Sequence, residues 1–134
     1  MKKYFRFPIL LLAGATLAIL SFCAADKSFA EVEKSPPYEE RLLRLSEIMG
    51  SIHFLSLLCQ PDDGMIWHEE MTNILNAEAT TQLRRAKLIE RFNAGFSAFQ
   101  ATYRHCTPVA ATALNRYQLE AKIIVQNLTT DFSG

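Results

Sequence analysis

Histidine and glutamate residues near the middle of the chain are the first candidates for chemistry. The stretch HEEMT, residues 68–72, begins like the helix of a zinc protease, in which a second histidine follows the first by four positions. Thr72 stands at that second position. His53, His68 and His105 are scattered, and no two of them have metal-ligand spacing on one predicted helix. We therefore expect no metal site and no cofactor.

The sequence also carries no recognisable catalytic motif. Glu69 and Glu70 are neighbours on a predicted helix and point apart, so they do not form an acid–base pair. There is no G-x-S-x-G, no glycine-rich phosphate loop and no cysteine–histidine pair at a helix start. An enzyme site assembled from separate helices, for example from Glu47, His53 and Arg85, is the least supported hypothesis. We expect no catalytic residues.

Aromatic and basic side chains offer a better case for binding. Trp67 is the only tryptophan and follows a turn, and Arg84, Arg85, Arg91 and Asn93 occupy the polar side of a predicted helix. Tryptophan and arginine are over-represented among binding hot spots, and arginine suits a carboxylate clamp. The alternatives are a core aromatic and an ordinary solvated face. We predict Trp67, Arg85 and Asn93 as binding residues.

The first 30 residues have the features of a secretory signal peptide. A basic start with Lys2, Lys3 and Arg6 precedes an apolar run over residues 7–22, and residues 28–30 form a small-x-small cleavage site. We predict cleavage after Ala30, with cleavage after Ala25 as the alternative. A lipoprotein anchored at Cys23 is disfavoured because Phe22 is too large for the small residue that such sites need before the cysteine.

Removal of residues 1–30 changes the charge. The whole chain has 14 basic and 14 acidic residues, and the signal peptide takes four basic and one acidic residue with it, leaving 10 and 13. The mature chain is therefore mildly acidic, at −3. This balance argues against nucleic acid as a partner and against electrostatic attachment to an anionic membrane, and we expect no stable membrane insertion after cleavage.

Two cysteines remain in the mature chain, Cys59 and Cys106. In an oxidising compartment an even count indicates a disulfide, and two cysteines allow one intramolecular pairing. Neither is part of a C-x-x-C motif, which argues against a catalytic redox role. The alternative is a pair of buried free thiols. We predict a Cys59–Cys106 disulfide.

Apolar residues recur at steps of three and four in four segments, which predicts four helices. The first helix spans residues 38–59, and a short helix at 65–76 follows a turn in which Asp62 or Asp63 is the expected cap. The third helix, at 82–106, is expected to be central, capped by Thr80 or Thr81, and the fourth follows Thr107. The predicted inner face of the first helix is Leu42, Leu45, Met49, Ile52, Leu55 and Cys59, and that of the second is Trp67, Met71, Ile74 and Leu75. The predicted inner face of the third helix is Ile89, Phe92, Phe96, Phe99, Tyr103 and Cys106. That of the fourth is Ala110, Leu114, Tyr117, Ala121, Ile124 and Leu128.

Short connections between four helices, without strand alternation or a repeat, predict an all-α fold. The expected architecture is a small antiparallel four-helix bundle tied by one disulfide. The predicted organisation is a signal peptide at 1–30, a polar tether at 31–37, a helical domain at 38–129 and a frayed tail at 130–134.

Three stretches together carry a family resemblance. They are YEERLLRLSEIMGSIHFLSLLC, a following tryptophan, and RRxKLxxxFNAGFSAFQATYRHC, with FNAGF at residues 92–96 as the most specific part. Over residues 38–128 the chain resembles a family of small secreted alphaproteobacterial proteins of unknown function. The resemblance implies a helical domain located in the cell envelope, and no mechanism.

Two functions remain from these observations. The first is a non-catalytic periplasmic interaction module that binds an envelope protein or a cell-wall enzyme. The second is a carrier for a small apolar ligand or lipid, held between helices and lined by Met49, Trp67, Phe92, Phe96 and Phe99.

Overall fold

The computed structural model describes residues 35–131. The chain divides into two units, Met1–Glu33 and Lys34–Gly134. The predicted signal peptide, most of the predicted tether and residues 132–134 lie outside the described residues. The second unit contains helix α1 (Glu39–Cys59), a short 3-10 turn (Pro61–Asp63), α2 (Ile66–Glu78), α3 (Gln82–Gln100) and α4 (Pro108–Asp131).

The predicted all-α class is confirmed, since the described part of the chain forms four helices and no strand. Helix α4 continues to Asp131, two residues beyond the predicted end of the domain, and an ion pair joins Asp131 to Arg41 of α1.

Helix α1 is the centre of the bundle, where the third helix was expected. It packs against α2, α3 and α4. Its predicted inner face is buried, with Cys59 half-buried, and Ile48, which was not predicted, is fully buried. Small residues extend the buried surface around the helix, namely Ser46, Gly50, Ser51 and Ser56. Because small side chains let neighbouring helices approach from several sides, α1 takes the central position.

Helix α1 is also, among the described residues, the one helix long and apolar enough to cross a membrane by length and composition. Most of it is buried inside the bundle. The helix therefore serves as the core helix of a packed domain. Such core helices can be as long and as apolar as a helix that crosses a membrane.

The contact between α1 and α3 is a close crossing of two backbones at two glycines. A Cβ atom on Gly50 would overlap the carbonyl oxygen of Phe92, and one on Gly95 would overlap the carbonyl oxygen of Glu47. Each glycine therefore faces the backbone of the other helix.

This crossing corrects the predicted inner face of α3. The buried residues are Arg84, Leu88, Phe92 and Gly95. Leu88 is 0% exposed, whereas Ile89 is 37% exposed. Leu88 precedes Gly95 by seven residues, almost two full turns, so both must face α1, and Ile89 is rotated by about 100° from that direction.

The C-terminal part of the inner face predicted for the third helix also differs from the structure. Helix α3 ends at Gln100, because the Thr102 amide donates to the Phe99 carbonyl and tightens the last turn. Phe96, Phe99 and Tyr103 are half-buried, and Tyr103 stacks on Phe99 from the connection before α4. Cys106 lies in the same connection rather than in a helix.

Helix caps match the sequence at two of three sites. The Thr81 hydroxyl accepts from the Arg84 amide at 3.2 Å, and the Thr107 hydroxyl accepts from the Ala110 amide at 3.1 Å. The predicted aspartate cap of α2 is wrong. Asp62 and Asp63 form the 3-10 turn, and α2 begins after Met65 without a side-chain cap. The predicted inner faces of α2 and α4 are confirmed as buried or packed against the core.

The predicted disulfide is confirmed. Cys59 and Cys106 are bonded, with their Cα atoms 5.1 Å apart and a separation of 47 positions in sequence. Closing a loop of this length stabilises the folded state by roughly 4 kcal/mol in the chain-entropy account. The bond fastens the end of α1 to the connection that precedes α4.

The contact of the two backbones at Gly50 and Gly95 predicts that a glycine-to-alanine substitution there destabilises the domain, the opposite of its usual effect in a helix. On an exposed helix, glycine to alanine stabilises by about 1 kcal/mol. Gly95→Ala should instead lower the free energy of unfolding by about 1–3 kcal/mol, because the new methyl group would meet the Glu47 carbonyl. Urea denaturation measures the difference.

Ser97→Ala is the matched control, since Ser97 is exposed on the same helix. It should change stability by less than about 0.5 kcal/mol. A Gly95→Ala protein as stable as the wild type would show that the two backbones do not touch there.

Candidate functional site

Helix α2 covers α1 incompletely. It is the shortest of the four helices, and its two buried residues are Met71 and Leu75. It packs on α1 and has few contacts with α3 or α4. As a result, an open groove runs along each side of it. We call these the α2–α3 groove and the α2–α4 groove.

The α2–α3 groove has a volume of about 380 Å³. Its walls are mostly apolar, with two histidines, a threonine and an asparagine as the polar groups. The lining residues are His53, His68, Met71, Thr72, Leu75, Ile89, Phe92, Asn93 and Phe96. The outward rotation of Ile89 places an aliphatic side chain in this groove instead of in the core.

His53 is held in one orientation at this groove. Its residue is 7% exposed, and Nδ1 lies 2.7 Å from the carbonyl oxygen of Gly64. Because a carbonyl oxygen can only accept, Nδ1 carries the proton and donates. In the neutral ring the lone pair then belongs to Nε2.

Aromatic rings surround the two histidines. The His53 ring centroid lies 5.7 Å from that of His68, 5.8 Å from that of Phe92 and 5.5 Å from that of Phe96. The rings of His68 and Phe92 are nearly perpendicular, with their centroids 6.3 Å apart. Two imidazoles, from α1 and α2, therefore meet in one apolar groove.

The α2–α4 groove has a volume of about 340 Å³ and lies on the other side of α2. It too is mainly apolar, with polar side chains from α2 and α4. Its lining residues are Leu45, Met49, Trp67, Glu70, Ile74, Gln118, Ala121, Lys122, Val125 and Gln126.

The three predicted binding residues divide between these two grooves. Asn93 lines the α2–α3 groove. Arg85 is half-buried beside it, where its Nη1 donates to the Leu75 carbonyl at 3.5 Å. Trp67 is half-buried and lines the α2–α4 groove. The structure thus brings Arg85 and Asn93 to one side of α2 and Trp67 to the other. Their binding role stays a prediction.

The residues of the enzyme hypothesis are engaged with other groups. The Glu47 carboxylate lies 3.1 Å from Arg44 and 3.8 Å from Arg91. His53 bonds to Gly64, and Arg85 bonds to Leu75. The three residues of this hypothesis are therefore each bonded to other groups and not to one another.

Arg84 is the main correction to the predicted polar face of the third helix. It is 7% exposed, and its guanidinium bonds to the Glu39 carboxylate at 2.9 Å. The Glu78 carbonyl and carboxylate accept from the same guanidinium, and Tyr38 donates to Glu78 at 3.0 Å. These bonds join the start of α1, the end of α2 and the start of α3.

Burial disfavours the charged form of Arg84, and its hydrogen-bond and charge partners stabilise that form. Burial lowers the pKa of the guanidinium, but hydrogen bonds and charge attraction from Glu39 and Tyr38 together outweigh it and leave the pKa above its ordinary value. Arg84 is therefore a structural cation, with its donors directed at protein groups rather than at a ligand.

A second, more exposed pair fastens α4. Arg44 bonds to Glu120 at 2.9 Å and lies over the Tyr117 ring. The hydrogen bond to Glu120 raises the pKa of Arg44 above its usual value. Together with the Arg41–Asp131 pair, this contact fixes the outer side of α1 to α4.

No local sequence pattern indicates the pairing of His53 with His68. The two residues are fifteen positions apart and lie on different helices, so only the packing of α2 on α1 brings them together. No group of three or more histidine, cysteine, aspartate or glutamate side chains within residues 35–131 is arranged to hold a metal ion.

The burial of Arg84 predicts that its replacement destabilises the domain much more than the replacement of Arg91, an exposed arginine on the same helix. Arg84→Ala should lower the free energy of unfolding by about 3–5 kcal/mol, because Glu39 would remain as an unpaired buried charge. Arg91→Ala should change it by about 0–1 kcal/mol, since Arg91 is exposed.

Chemical denaturation of both variants beside the wild type gives the comparison. If both variants lost the same small amount of unfolding free energy, Arg84 would lie on a solvated face, as the sequence pattern indicated.

Comparison with known proteins gives one match. No curated protein and no solved structure matches the chain. The model of a protein family described as "Protein of unknown function (DUF2385)" matches residues 37–132. That range covers nearly all of the described helical domain. The chain therefore belongs to the DUF2385 family.

Proposed function

We propose that the protein is a non-catalytic binding module of the periplasm, which docks an apolar segment of an envelope protein or a cell-wall enzyme. The docking surface consists of α2 and the two grooves beside it. The partner segment contributes apolar side chains to the α2–α3 groove, and contacts to Arg85, Asn93 and Trp67 fix its position.

The observation that carries this proposal is the open, mostly apolar α2–α3 groove beside the short helix α2. Ile89 is 37% exposed beside the half-buried Phe96, and both line a groove with polar groups among its walls. An apolar centre with polar groups at its edge is the usual composition of a protein-binding surface. A segment seated there would bury the apolar surface that the bundle leaves open.

Two features support a periplasmic location. The first 30 residues have the charge and hydropathy pattern of a signal peptide. The Cys59–Cys106 disulfide is of the kind that persists in an oxidising compartment. The alphaproteobacterial origin and the FNAGF motif as a family signature belong to the same proposal and rest on the sequence resemblance.

The carrier function is a second proposal, supported by the size of the grooves. Volumes of about 380 and 340 Å³ fall within the range of roughly 300–1,000 Å³ that small-ligand sites occupy. The aromatic lining is divided, because Phe92 and Phe96 lie in one groove and Trp67 in the other. A carried ligand would therefore occupy one groove rather than a single central cavity.

Asn93→Arg tests the docking proposal. The substitution places a long charged side chain in the α2–α3 groove, and each 1.4 kcal/mol of resulting penalty lowers affinity tenfold. We expect the yield of chemical cross-links to the periplasmic partner to fall about tenfold. Thermal melting should be almost unchanged, because Asn93 is exposed.

Asn115→Arg is the matched control, since Asn115 is exposed on α4 and lines neither groove. Equal cross-linking yields from the two variants would remove the α2–α3 groove from the proposal. An apolar molecule retained in native mass spectrometry, and lost in Asn93→Arg but not in Asn115→Arg, would favour the carrier.

A further inference from the structure

The two histidines of the α2–α3 groove have the spacing of ligands on one ion. Their ring centroids are 5.7 Å apart. With metal–nitrogen bonds of about 2.0–2.1 Å, two imidazoles bound to one ion have centroids roughly 5–6 Å apart. The centroid spacing of the pair is therefore compatible with two imidazoles that share one cation.

His53 is prepared for this role by its hydrogen bond. Nδ1 donates to the Gly64 carbonyl at 2.7 Å, which leaves Nε2 as the nitrogen with the lone pair. Metal-binding histidines almost always donate their second ring nitrogen in this way, and the bond fixes the tautomer and makes the ligating nitrogen more basic.

Nε2 of His53 has no hydrogen-bond partner among the described residues, although the residue is 7% exposed. The His53 side chain lines the α2–α3 groove, so part of its ring borders that open space. A lone pair held in place at an accessible, mostly apolar surface is available to a ligand.

His68 supplies the second nitrogen from the opposite wall. It lies on the first turn of α2 and is exposed, so its ring can reorient at little cost. Water can occupy the remaining coordination positions, because the groove is open to solvent.

We propose that His53 and His68 form a two-imidazole binding site for a divalent transition metal in the α2–α3 groove. Imidazole ligands suit copper, zinc and nickel, and copper(II) binds most tightly to a given nitrogen site in this series. With two protein nitrogens, the ion keeps open coordination positions that water can fill. This proposal is independent of the docking function.

The test uses the mature chain with its disulfide intact and without a histidine tag. Copper(II) is added alone, and its affinity is measured by competition with a chromophoric chelator. We expect one copper(II) per chain. Its electron paramagnetic resonance spectrum should show nitrogen splitting from two imidazoles.

Three variants locate the ion. His68→Ala should weaken copper(II) binding tenfold or more. His53→Asn should do the same while retaining a donor for the Gly64 carbonyl, so that the fold is preserved. His105→Ala is the control, because His105 is exposed in the connection before α4, and binding should be unchanged.

Several results would overturn the proposal. They are the absence of copper(II) binding, unchanged affinity in His68→Ala, and equal loss in His105→Ala and His68→Ala. Copper bound at the N-terminal amine would survive all three substitutions and would contradict it equally. If His53→Asn fails to melt cooperatively, the spectrum of the wild type and the loss in His68→Ala decide the question.

Discussion

The contact of two helix backbones at Gly50 and Gly95 determines how the rest of the domain is arranged. Helices this close have no freedom to rotate about their axes, because any other residue at the contact would place a side chain where a carbonyl oxygen lies. The crossing thereby selects which residues of α3 are buried. Leu88 packs into the core and Ile89 is left in the α2–α3 groove. The groove is thus a direct consequence of the packing that holds the domain together.

Once that rotation is set, buried charge determines how α2 is attached. Arg84 follows the same face of α3 as Leu88 and Gly95, and its pairing with Glu39 and Glu78 draws the end of α2 to the start of α1. The other end of α2 approaches α1 through His53, whose Nδ1 bonds to Gly64 just before that helix. Helix α2 is therefore held at both ends while its sides stay open.

The sequence predicted the parts of this fold that depend on local pattern. Periodicity identified the four helices and the buried faces of α1 and α4, and Thr81 and Thr107 marked two helix starts. The face of α3 was misassigned because Leu88 and Ile89 both continue an apolar stripe, and only the contact of Gly95 with α1 distinguishes them. Arg84 and the His53–His68 pair were missed because their partners are distant in sequence.

The disulfide gives the chain a closed covalent ring from Cys59 to Cys106, and α2 and α3 lie entirely within it. A protease cut in the connection between α2 and α3, at residues 79–81, would therefore open the ring without releasing a fragment. The two pieces would migrate as one molecule until a reductant separated them. In an oxidising compartment, the domain can thus be nicked at that connection and still keep all four helices on one covalent framework.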